Sequence, residues 1–206
     1  MKLVSSISGG APVAPVRLVV GLSEAVLVVE KLVLSILMAL VLGLILLNVV
    51  TRYAGVPLYW VDEAAVYAMV WLAFIGASAL TRLRLDFSVT LLSDNLSKAN
   101  ARRMKAFASL FGTIFAFALC VMCWRWMDPL GIAAAGFDAK AYAGATFNFL
   151  YTEQTQTLRW PTWAISLVVP LFAITMFVHG IANFIEDLGF APVLRRPDFD
   201  HAEGVN

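Results

Sequence analysis

Four stretches of the chain carry no Asp, Glu, Lys or Arg for long enough to cross a bilayer: residues 32–51, 64–81, 106–124 and 160–185. About 20 mostly apolar residues, wound as a helix, cover the ~30 Å of a bilayer's hydrocarbon. An open strand there would leave its backbone N–H and C=O groups without partners, so helix is the only workable state. Composition supports this reading, with 61% apolar residues, 14% charged residues and a mean hydropathy of +0.82. A small soluble globule needs more surface charge than that. The balance excludes a soluble enzyme and a disordered chain, and a net charge of +1 gives no general attraction for nucleic acid. The sequence therefore predicts an all-α membrane protein with four transmembrane helices and interfacial amphipathic helices. It divides into a tail and lead-in over 1–31, a membrane domain over 32–185 and a second tail over 186–206.

The ends of the runs carry their own signals. Asp62 and Glu63 precede the second span, where carboxylates suit the positive end of a helix, and Arg82 and Arg84 follow it at the negative end. Trp160-Pro161 opens the fourth span with proline in the first turn. Pro170 inside that span removes a backbone donor and predicts a kink. Tyr53, Tyr59, Trp60, Trp124, Trp126, Trp160 and Trp163 cluster near span ends as an aromatic belt. Eleven of the 15 Lys and Arg residues lie in the two tails and the loop after span two. The other four are Arg52, Arg125, Lys140 and Arg159. The positive-inside bias then places both termini in the cytoplasm.

Before the first span, Arg17, Glu24 and Lys31 repeat every seven residues and share one helical face. Two readings stand for residues 15–31: an interfacial amphipathic helix, or a cytoplasmic extension of the first span. The same pair stands for residues 86–96. Small residues crowd span two, and Gly112, Ala116 and Cys120 form a stripe on span three, which points to close helix approach.

Catalytic and cofactor chemistry leave no signature. Cys120 and Cys123, the only cysteines, sit in an apolar run with no partner set and read as inert thiols. His179 is the one histidine inside a run and reads as a polar residue at a helix interface. A bis-histidine haem site would need a second, and His201 lies in the tail. No cofactor is expected. The spans contain no mid-membrane carboxylate and no paired broken helices of the kind secondary transporters use. The inference is an accessory subunit that packs on something larger.

One constellation is more specific. Span one ends Asn48-Val-Val-Thr-Arg52-Tyr53, and a short loop leads to Pro57-Leu-Tyr-Trp60-Val-Asp62-Glu63. Span two ends Thr81-Arg82-Leu-Arg84, and span four opens Leu158-Arg-Trp160-Pro161-Thr-Trp163 and continues to Pro170. In order and spacing this resembles the small membrane subunit, DctQ-like, of tripartite ATP-independent periplasmic (TRAP) transporters, over about residues 32–185. Where that family commonly places His and then Asp after the basic pair, this chain has Asp86 and Thr90.

The resemblance implies a non-enzymatic scaffold in a bacterial inner membrane. Its partners would be membrane lipid, a large permease subunit holding the sodium and substrate sites, and a periplasmic solute-binding protein that delivers an anionic solute. Asn48, Arg52, Trp60, Asp62, Glu63, Arg82, Arg84, Trp163 and Pro170 are then interface or structural residues, with Arg52 expected to pair with Glu63 or Asp62. The long third loop, residues 125–159, either touches the solute-delivery protein or rests on lipid headgroups. Outside the family, the chain could anchor a respiratory oxidoreductase or act as a self-sufficient efflux protein. The missing second histidine and the missing mid-membrane carboxylate argue against these in turn.

Overall fold

The computed structural model describes residues 14–85 and 98–193, apart from the side chains of Lys98, Ala99 and Arg102. The stretch 86–96 and the tail positions Arg195, Arg196 and His201 fall outside the described residues. Helix α1 spans Ala14–Tyr53, α2 Tyr59–Leu83 and α3 Lys98–Met127. Two short helices follow, α4 over Pro129–Ala134 and α5 over Ala139–Thr146. The fourth span is divided into α6, Thr162–Ser166, and α7, Val168–Leu188. Four helical stretches are long and apolar enough to cross a membrane, and the described residues form no strands.

Of the two readings for residues 15–31, the extension is the one found. α1 is a single helix of 40 residues, about 60 Å long. On its Arg17–Glu24–Lys31 face Arg17 and Lys31 are exposed, while Glu24 between them turns inward to Arg82 of α2.

α7 is the central element. It packs along α3 on one side and against α2 and α1 on the other, while α1 also packs along α2. Between helices in lipid, close fit rather than the hydrophobic effect drives association. The fit here uses Val41, Leu44, Val61 and Ala68 between α1 and α2. Phe74 meets Phe172 edge-on at 5.3 Å, and Phe117 meets Phe177 at 5.7 Å.

Two expectations need amending. Of the small-residue stripe on span three, Ala116 is fully buried, but Gly112 has nothing near the place a Cβ would occupy. The close approach is made from the other helix. A Cβ on Gly180 would lie 2.8 Å from Thr113 Oγ1 and 3.2 Å from Thr113 Cα. Pro161 sits just before the first helical residue rather than within the first turn. Pro170 acts where expected, since the helix is interrupted at Leu167, three residues earlier, where the missing proline N–H leaves the ladder incomplete.

Gly180→Leu should push α3 off α7 and cost about 1–3 kcal/mol, as overpacking of a tight contact does. Gly112→Ala should be neutral or stabilise slightly, through helix propensity alone. Thermal unfolding of the two variants in one detergent checks the pair. Equal losses would contradict the assigned approach point.

Candidate functional site

Each end of the bundle carries a polar clasp. At the end where α1 runs into α2, Arg52 and Asn48 lie one helical turn apart on α1. Arg52 Nη2 bonds Asp62 Oδ2 at 2.7 Å and Arg52 Nε bonds Asn48 Oδ1 at 2.9 Å. The Asn48 amide donates to the other Asp62 oxygen, so the three side chains close a ring. Arg52 thus pairs with Asp62 and not with Glu63. The ion pair is wet, with side chains 59% and 44% exposed, so it contributes no more than ~0–1 kcal/mol.

Glu63 does something the sequence does not announce. Its carboxylate accepts the backbone N–H groups of Gln156, Thr157 and Leu158 at 2.7–2.8 Å, together with the Thr157 hydroxyl. Tyr67 donates to it as well, at 3.2 Å. A run of consecutive amides around one anion is a backbone nest. It staples the stretch before α6 to the start of α2. Trp60 and Trp163 stand partly exposed at this same end. Deeper in, Trp71 Nε1 donates to the Ile165 carbonyl at 3.1 Å, next to the interrupted turn before Pro170. A neighbouring helix thereby satisfies backbone at the break.

The opposite clasp is buried. Arg82, 2% exposed, donates from Nε to Glu24 of α1 at 2.8 Å. Its Nη1 and Nη2 donate to Asn183 and Glu186 of α7, each at 2.7 Å. Asn183 in turn donates to the Thr81 carbonyl at 2.7 Å, in the last turn of α2. Arg84 ends α2 in the left-handed region at φ 57°. That bend sends its guanidinium back to Asp187 at 2.7 Å, to Glu186 at 3.1 Å and to the Asn183 carbonyl at 2.9 Å. One helical turn deeper on α7, fully buried His179 touches Ser23 Oγ through Nδ1 at 2.7 Å and Glu30 through Nε2 at 3.0 Å. Both ring nitrogens therefore have partners on α1. Ser78 and Thr175 bond at 2.7 Å between α2 and α7.

Sequence reasoning named Arg82 and Arg84 but missed Glu24, Glu30, Asn183, Glu186 and Asp187, which face them or His179. The available signal was heptad placement. Ser23, Leu27 and Glu30 are buried at helical spacing on α1, and Asn183, Glu186 and Asp187 follow on α7. Among the described residues no group of three His, Cys, Asp or Glu side chains could hold a metal ion.

Removing Arg82 takes away its bonds to Glu24 and to the Asn183 amide oxygen, and with them the buried pair with Glu186, whose side chain is 2% exposed. Breaking such a buried pair costs ~3–5 kcal/mol. Arg82→Ala should therefore unfold the bundle in detergent at a temperature where wild type holds, while Arg52→Ala shifts unfolding only slightly. A double-mutant cycle between Arg52 and Asp62 should return a coupling of ~0–1 kcal/mol.

The family described as Tripartite ATP-independent periplasmic transporters, DctQ component, matches this chain over residues 41–189. No curated protein matches it. The matched stretch begins after the α1 residues Glu24 and Glu30 and takes in Arg82, Arg84, Glu186 and Asp187.

Proposed function

The chain belongs to the DctQ components of the tripartite ATP-independent periplasmic transporters, and from that membership we propose that it is a non-catalytic frame for a larger permease subunit. In this reading the large subunit carries the sodium and solute sites. A periplasmic binding protein delivers an anionic solute to the pair, and the assembly sits in a bacterial inner membrane.

The observation that carries the reading is where charge lies. The described spans place their ion pairs in the two end clasps, with Glu30 and His179 just inside one of them. Between the clasps the contacts are aromatic edges, small residues, a hydroxyl pair and an indole–carbonyl bond. A charged solute crossing along these helices would lose its hydration without gaining partners, at several kcal/mol per unsatisfied group. A second subunit has to provide them. A bundle whose helices are tied to one another by side-chain bonds at both ends suits the part that stays still while its partner moves. The membrane-anchor alternative would require His179 to give up Ser23 or Glu30 before it could ligate haem.

The outer face of α1 supports the need for a partner. Leu18, Leu22, Val29, Leu32 and Ile36 form an exposed stripe at helical spacing. Helix α1, at about 60 Å, is twice the length of the hydrocarbon layer. Residues 14–23 of α1, about 15 Å of helix, lie beyond Glu24 at the end assigned to the cytoplasm, and Leu18 and Leu22 of the stripe are among them. An apolar stripe there needs protein against it.

Two measurements test the proposal. Reporter fusions after Asn206 and within residues 141–152 should give opposite signals, the first cytoplasmic. Reconstitution with the large subunit and the binding protein should give sodium-driven uptake that disappears when this chain is omitted. Exchanging the chain for a relative from a system with another solute should leave the preference unchanged. Uptake by this chain alone, or a preference that follows the exchange, would reject the frame.

A further inference from the structure

The segment between the third and fourth spans presents two phenylalanines in an unusual way. Phe137 and Phe147 each follow a short helix, α4 and α5, and each takes the left-handed backbone conformation, at φ 60° and 58°. Bulky residues avoid that region, which glycine or asparagine occupies at little cost. Both rings are nonetheless turned outward, 75% and 79% exposed. Leu130 and Phe149 are exposed beside them. From 129 to 152 the only ionisable side chains besides tyrosine are Asp138 and Lys140, and Asp138 is occupied in capping α5. A surface in contact with water gains nothing from this arrangement.

Its height relative to the spans is fixed by hydrogen bonds. Asn148 Nδ2 donates to the Trp126 carbonyl at 2.8 Å, and the Tyr151 hydroxyl donates to the Met127 carbonyl. These are last-turn carbonyls of α3. Tyr142 donates to Asp128 at 2.9 Å. The segment is thereby drawn down flush with the end of the span rather than held above it. Phe137 also borders the end of the bundle. It lines an apolar cleft of about 720 Å³ together with Cys120 and Trp124 of α3, Ile174 of α7, and Ile132 and Tyr151. Cys120 lies seven residues inside the end of α3, about 10 Å along the helix axis. Trp124, Trp126 and Trp160, all exposed, mark the same level, the depth at which tryptophan sits between acyl chains and headgroups.

We propose that α4 and α5 form an interfacial anchor that lies on the outer leaflet, with Phe137 and Phe147 inserted at the boundary between headgroups and acyl chains. The occupant of this surface is phospholipid. The surface is continuous with the membrane-spanning faces of α3 and α6. Lipid makes sense of the two strained backbones, since each directs a ring into the bilayer that a relaxed turn would direct elsewhere. Lys140, the second residue of α5, is exposed and would reach the headgroup side. The anchor would hold the loop end of α3 in place, where α3 packs chiefly against α7.

The test uses the full chain in liposomes of phosphatidylethanolamine and phosphatidylglycerol. Phe137→Cys, Phe147→Cys and, as a control, Lys140→Cys are made one at a time with Cys120 and Cys123 replaced by alanine, and each is nitroxide-labelled. Collision with dissolved oxygen should dominate at 137 and 147, and collision with a water-soluble nickel chelate should dominate at 140. A nickel-dominated signal at either phenylalanine position overturns the proposal. So does protection from both reagents that appears only when the solute-binding protein is added, because that outcome assigns the surface to protein. A second measurement needs no substitution. A lipid-soluble carbene probe should label residues 130–137 and 147–149 of the wild-type chain, and labelling confined to the four spans would also overturn it.

Discussion

A guanidinium that is 2% exposed at the end of a membrane helix has to be matched donor by donor, and Arg82 is matched by three different side chains. Two of them belong to α7 and one to α1, so a single residue of α2 fixes three helices in register. Its partners are constrained in turn. Asn183 can accept from Arg82 only with its amide group facing the Thr81 carbonyl, which it bonds. Glu186 shares its two oxygens between Arg82 and Arg84. Little in this arrangement can shift alone. A small displacement of α7 would break several charge-assisted bonds where water is scarce.

The opposite end is tied differently. The Asn48–Arg52–Asp62 ring is open to solvent and individually weak, while Glu63 gathers three backbone amides from a segment more than 90 residues away. The buried clasp thus locks helices to one another, whereas the outer one mainly positions a loop. Among the described residues, α3 contributes no side chain to the bonds named in either clasp. It is attached through Ala116, Phe117 and the Thr113–Gly180 contact to α7, and through the segment folded over its own last turn. Its attachment is therefore the most dependent on shape and on surrounding lipid.

The four spans were legible because freedom from charge over 18 or more residues has one physical reading in a chain this apolar. The Arg52–Asp62 pair was half legible. The short loop had to bring the end of α1 to the start of α2, but either carboxylate could have answered, and helix phase decided for Asp62. The interruption before Pro170 was legible from the proline alone. The partners of Arg82 were not, because they come from 58 to 104 residues away and the carboxylate among them on α7, Glu186, lies past the last uncharged residue of span four. A count of uncharged residues stops where the clasp begins. The role of Glu63 had no signature at all, since its ligands are main-chain amides that any sequence provides. Gly180 was overlooked for a related reason. A stripe of small residues shows that helices can approach, but not which member meets a neighbour.

The heptad of Arg17, Glu24 and Lys31 links these points. Charges at that spacing are compatible with a helix lying flat on a membrane, and nothing local distinguishes that from a helix continuing straight. The distinction is made by Arg82, which has to recruit a carboxylate from α1, and by His179, which takes Ser23 and Glu30 from the adjoining buried face of the same helix. Turning residues 15–31 into the membrane plane would strip both buried groups of their partners. The cost is several kcal/mol for a charge left unpaired in the interior, and no interfacial helix of this length, with Leu18, Leu22 and Val29 already exposed on its far side, regains it. α1 therefore runs on as one helix past the end of α2, and its apolar outer stripe is carried beyond the bilayer as a consequence of a polar requirement on its inner face.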